Sequence, residues 1–268
     1  MTIQTGKQNR QSSLTVASRP MVVAWGYLLF ITVAEIVTVL VDPIAGAACH
    51  SVLLVVILAH SALVEDTGMR RIILPLALAP LTRILSITMP LSAVRQIYWY
   101  PIIYLPLAVC AFVIMRQLRM GRREIGLTRS KPFWQMLAIP LGVLLGLVEY
   151  MILRPEPLES ALTVQTITVS IIIFTATTGF VEELVFRGVL QKVMNDRFGW
   201  LGILYVSILF AVLHLGFLSA GDMGFVFVVA ILFAWIAKAT GSLAGVTLAH
   251  GLTNARLYVI FPLLLKWH

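Results

Sequence analysis

The sequence predicts an all-α protein, a polytopic transmembrane helix bundle of about eight to nine spans with a buried polar site among its C-terminal helices. Three observations predict it. The 268 residues are 59% hydrophobic and only 12% charged, where a soluble domain is about half apolar and a quarter charged. The apolar residues gather into runs of about the 20 residues that cross a bilayer core. The charges that remain are sorted to one side of those runs.

The runs follow in order. Met21 to Val41 is uncharged apart from Glu35, and Pro43–Leu63, Ile72–Leu91 and Tyr100–Met115 come after it. The next are Phe133–Leu153, Leu162–Met194, Trp200–Leu218, Met223–Ala237 and Leu243–Leu265, which makes nine candidate spans. The first 20 residues are polar and carry Lys7, Arg10 and Arg19. Without a small-residue cleavage site they read as a cytoplasmic tail rather than a cleaved signal. The chain therefore divides into a tail (1–20), a four-helix segment (21–115), a basic loop (116–132) and a five-span core (133–268). Cys49 and Cys110 each lie inside an apolar run, so neither a disulfide framework nor a metal spacing is expected.

A net charge of +8 invites a nucleic-acid reading, but its distribution argues against one. With the N-terminus inside, the inner side carries Lys7, Arg10, Arg19, Arg70, Arg71, Arg116, Arg119, Arg122, Arg123, Arg129, Lys131, Lys192, Arg197 and Lys238. The outer side carries Arg95, Arg154 and Lys266. That bias is the positive-inside pattern. The segment "RQLRMGRREIGLTRSK" is then a cytoplasmic loop beside anionic lipid. The expected setting is an integral membrane protein of a bacterial inner membrane, its N-terminus cytoplasmic.

Ionisable residues inside the spans form two groups. Glu35, His60, Arg83 and Glu149 are scattered, and each is expected to pair or to face a cavity. The other group gathers in the last third: Glu182, Glu183, Arg187, His214, His250, Asn254 and Arg256. His50 and His268 fall near predicted ends and are expected to be solvated or interfacial, and Asp222 reads as a loop residue. "NDRFGW" (Asn195–Trp200) reads as a tight turn, with Glu182 and His214 each ~24 Å from it along adjacent helices. Tracing on through the turns at Ser219–Asp222 and Thr240–Gly241 puts His250 within about one helical turn, ~5 Å, of the His214 level. His250 and Asn254, four apart, share a helix face. Glu183 and Arg187 have the spacing of an intrahelical ion pair.

Such a set permits two chemistries. A carboxylate and an imidazole can take a proton from water, while a second imidazole and an amide donate to an oxyanion. Glu182, His214 and His250 could instead ligate a divalent metal such as zinc, although there is no HExxH. A rhomboid-type serine site would rest on Ser242 and His250, but "GSLAG" leaves the two acids unexplained. An aspartyl site lacks paired membrane aspartates. A proton-coupled transporter would show repeats or twin broken helices, and none is evident.

"EELVFR", "FAVLH" and "HGLTN" together resemble the EExxxR, FxxxH and HxxxN motifs of the CPBP family. These are intramembrane proteases that include CAAX-processing endopeptidases and bacterial relatives often called Abi. The resemblance spans about residues 134–258. It implies an intramembrane endopeptidase of glutamate type with no covalent nucleophile and no required cofactor, although older descriptions of the family call it a metalloprotease. By the same resemblance Glu182 activates water with His214, His250 and Asn254 stabilise the oxyanion, and Glu183 and Arg187 organise the site. The implied partners are the bilayer and a membrane peptide or protein, with a pheromone or bacteriocin as examples, and no nucleic acid. The alternatives are a noncatalytic scaffold or bacteriocin-immunity protein, or a proton-coupled transporter.

Overall fold

The computed structural model describes residues 4–265, with side chains from residue 19; Lys7, Arg10, Lys266 and His268 fall outside the side chains described. Among the described residues nine helices are long and apolar enough to span a membrane. In order they are α1 (Arg19–Leu40), α2 (Pro43–Leu63), α3 (Thr67–Thr88), α4 (Gln96–Gln117), α5 (Pro132–Leu153), α6 (Val164–Phe198), α7 (Trp200–Phe217), α8 (Ala220–Thr240) and α9 (Ala244–Leu265). The helix carrying α1 already begins at Gln4, so the polar segment is continuous with the first span. Lipid offers the backbone no partners, and helices satisfy it within each segment.

The ends are set by local chemistry. Asp42 accepts from the Ala45 N–H at 2.8 Å and Asp66 from the Gly68 N–H at 2.8 Å, capping α2 and α3. Thr163 and Thr166 form a reciprocal capping box at the start of α6. Gly199 and Gly241, at φ 60° and 68°, make the turns into α7 and α9. In both, glycine occupies backbone that other residues adopt at a cost.

One buried apolar cluster takes residues from all nine spans, including Ala24, Leu53, Ile72, Leu107, Ala138, Val181, Tyr205, Val226 and Val246. Small residues allow the closest crossings. On α5, Gly142 and Gly146 lie against Ala249 and Thr253 of α9, and Thr253 donates its hydroxyl to the Gly142 carbonyl at 3.1 Å. On the other side of α9, a methyl group on Gly179 of α6 would sit 2.5 Å from the Thr247 carbonyl oxygen, and one on Gly251 would collide with Thr175. Thus α9 is clamped between α5 and α6.

A buried ion cluster ties α1, α2 and α3. Glu35 accepts from Arg83 Nε at 2.6 Å and lies 3.2 Å from His50 Nε2. His50 is therefore fully buried rather than interfacial, because Glu35 draws it inward. Asp222 also departs from expectation. It sits in the first turn of α8, fully buried, where the helix N-terminus favours a carboxylate.

The basic loop folds against the C-terminal end of α8 and the N-terminal end of α9. Thr128 donates to the Gly241 carbonyl at 2.8 Å, and Ser242 to the Thr128 carbonyl at 2.7 Å. Lys131 reaches the Ala239 carbonyl at 2.5 Å, and Lys238 bonds Asn195 at 2.9 Å. The basic loops thus share one end of the bundle. Arg95 and Glu159 pair at the opposite end.

Candidate active site

The 35 residues of α6 would measure ~52 Å as a regular helix, but its middle is not regular. Thr175–Glu182 and Leu184–Leu190 are wound in the wider i→i+5 pattern. Such turns are frequent at functional sites. The hydroxyls of Thr177 and Thr178 bond back to the carbonyls of Ile173 and Phe174 at 2.6 and 3.1 Å. These bonds occupy carbonyls that the irregular winding would otherwise leave short of partners.

Glu182 and Glu183 leave this segment in different directions. Glu182 lines a cavity of about 320 Å³ together with Arg187, His214, His250 and Asn254. Glu183 lies behind the wall and is fully buried. Five of the six predicted residues therefore face one space, and the sixth supports them from outside it.

Glu183 Oε1 accepts from Arg187 Nη1 at 3.1 Å and from His250 Nδ1 at 2.8 Å. The Arg187 guanidinium stacks over Phe210 with its carbon 4.4 Å from the ring centre. A desolvated cation gains from an aromatic face, so Phe210 packs the site and holds Arg187 as well. Glu182 Oε1 accepts from the Tyr104 hydroxyl on α4. Its Oε2 lies 3.7 Å from His250 Nε2.

The imidazole tautomers follow from these partners. His214 Nδ1 meets the Phe210 carbonyl at 2.8 Å. A carbonyl only accepts, so Nδ1 carries the hydrogen and Nε2 of the neutral ring holds a lone pair. His250 Nδ1 meets a carboxylate already bound to arginine, so it too donates, and Nε2 is left toward Glu182. His250 can donate from Nε2 only when the ring carries both protons. Asn254 Nδ2 donates to Thr178 Oγ1 at 2.9 Å, which fixes the amide plane.

Tyr104 and Thr178 were not singled out by sequence reasoning. A tyrosine near a span end usually belongs to the interfacial belt, and only the packing of α4 on α6 brings Tyr104 to the acid. The i, i+4 pair Tyr100 and Tyr104, stacked at 6.4 Å, was the available signal.

The scattered group resolves differently. Glu35 and Arg83 pair, and His60 bonds the Tyr27 hydroxyl at 2.7 Å. Arg83 also reaches the cavity wall, and Glu149 faces the cavity. Arg256 stays outside it, with its guanidinium over Phe261 at 5.6 Å.

Among the described residues, no three His, Cys, Asp or Glu side chains converge as a metal-holding set. Glu182, His214 and His250 share the cavity without meeting at one point, so the donors as arranged do not fit a three-ligand zinc centre.

Fold and site together define a helical membrane protein with an acid–imidazole cavity inside its bundle. Residues 164–256, about a third of the chain, match the family of Rce1-like type II CAAX prenyl endopeptidases, and over that segment the chain is similar to those proteases. The match contains all three motifs. No curated protein and no solved structure matches the chain.

Proposed function

We propose that the chain is an intramembrane endopeptidase that hydrolyses a peptide bond of a membrane-associated substrate with water activated by Glu182 and His214. The observation that carries the reading is a division of labour between two adjacent acids. Glu183 is consumed by Arg187 and His250, while Glu182 keeps an oxygen facing the cavity, 3.7 Å from an imidazole nitrogen.

In this reading a water between Glu182 and His214 gives up a proton as its oxygen attacks the scissile carbonyl. The carbonyl becomes an oxyanion, to which Asn254 donates, joined by His250 when its Nε2 carries a proton. The proton taken from water passes to the leaving amine as the C–N bond breaks. Tyr104 pins one oxygen of Glu182, which orients the other. No serine or cysteine enters, so no acyl-enzyme forms. The substrate is a membrane peptide or protein, and the N-terminus is cytoplasmic.

The test uses purified protein in nanodiscs and a panel of membrane peptides, prenylated and unprenylated. The expected result is cleavage that resists serine- and cysteine-directed inhibitors and chelators, and disappears in Glu182→Gln. Trapping a covalent acyl-enzyme would overturn it. Loss of activity with a chelator and its return with zinc would replace water activation by a metal mechanism. Full biological activity of Glu182→Gln would favour a scaffold or immunity role.

A further inference from the structure

Each cation on the cavity wall already has a partner. Arg83 is held by Glu35 at 2.6 Å and by Ser86. Arg187 is held by Glu183 and Phe210. His214 and His250 are bonded through Nδ1. Of the two acids on the wall, Glu182 has Tyr104 and His250.

The other acid is Glu149 of α5, only 8% exposed. Among the described residues it makes no hydrogen bond or ion pair, and the acid that shares the cavity wall with it is Glu182. A further buried acid, Asp222, lies off the cavity wall with neither carboxylate oxygen partnered. Asp222 has a local reason for its place at the N-terminus of α8. Glu149 lies one turn from the C-terminus of α5, where the helix dipole disfavours a carboxylate. An acid in apolar surroundings is retained at a cost, and such residues mark ligand paths.

From this imbalance we infer that Glu149 forms a specificity subsite that receives the cationic side chain of a lysine or arginine in the substrate, next to the bond being cut. The inference rests on the endopeptidase reading and adds to it the chemistry of the residue selected. The substrate's ammonium or guanidinium supplies the cation missing from the wall. Its aliphatic stem lies along Tyr258 and the other apolar residues of the cavity.

The experiment compares matched peptides that differ only by lysine, methionine or glutamate at each position flanking the scissile bond. The readout is the ratio of kcat/KM for the lysine and methionine peptides, so a global loss of activity cancels. Wild type should favour lysine by ~10²-fold at one position, the scale of a desolvated charge pair. Glu149→Gln should bring that ratio to near 1, and Glu149→Lys should turn the preference toward glutamate. Equal loss on all peptides in Glu149→Gln would show a merely structural role and overturn the inference. So would a wild-type ratio near 1. In either case the endopeptidase reading would stand, because cleavage itself had been seen. Binding of the same peptides to Glu182→Gln protein is measured separately by fluorescence anisotropy. Tighter binding of lysine peptides, lost on adding Glu149→Gln, supports the subsite even without turnover, and equal affinities sink it.

Discussion

At the scale of the residue, the site separates groups that face the cavity from groups that hold them. Glu182→Gln keeps shape and removes the base, so turnover should fall by ~10²–10⁴ while the melting temperature is unchanged. Asn254→Ala should cost ~10²–10³ in kcat with little change in KM. Arg187→Ala acts on stability. It leaves Glu183 buried without its cation, and breaking such a pair costs ~3–5 kcal/mol. A thermal melt in detergent should show that loss together with lost activity. Tyr104→Phe removes only the hydroxyl bonded to Glu182. A hydrogen bond to a charged group is worth ~1.5–3 kcal/mol, so activity should drop ~10–10²-fold in a folded protein. Unchanged kcat in Tyr104→Phe would show that Glu182 needs no such anchor.

At the scale of the element, the spans were legible because lipid forces helices and the runs have bilayer length. The turn at Gly199 was legible from its composition, and counting residues from it placed Glu182 and His214 on facing helices. The i→i+5 turns of α6 were not legible. They coincide with the close approach of α6 to α9 at Gly179 and Gly251, a contact between segments far apart in sequence. The burial of His50 escaped for the same reason, since Glu35 belongs to another span. Gly251→Ala tests the crossing. Its methyl must displace the backbone at Thr175, and overpacking of this kind costs ~1–3 kcal/mol. The expected outcome is a lower melting temperature and a larger loss of activity than the melt alone accounts for, because His250 and Asn254 flank the point of contact.

At the scale of the whole molecule, two of the four N-terminal spans, α3 and α4, take part in the site as well as the fold. Tyr100 and Tyr104 of α4 and Thr82, Arg83 and Ser86 of α3 line the same cavity as the acids. Tyr205 of α7 donates its hydroxyl to the Ala24 carbonyl of α1 at 3.0 Å. The five C-terminal spans expressed alone, residues 133–268, should therefore be inactive, and co-expression with residues 1–132 should restore cleavage. Activity of the isolated C-terminal piece would show that the first four spans are accessory. The cavity draws its walls from α3, α4 and α5 as well as from residues 164–256, the stretch that matches the protease family. Under the proposed reading, the acids and imidazoles lie within the matched segment while much of the wall a substrate would meet lies outside it, so the two are free to diverge at different rates. On that reading, similarity confined to the three motifs predicts the reaction better than the target.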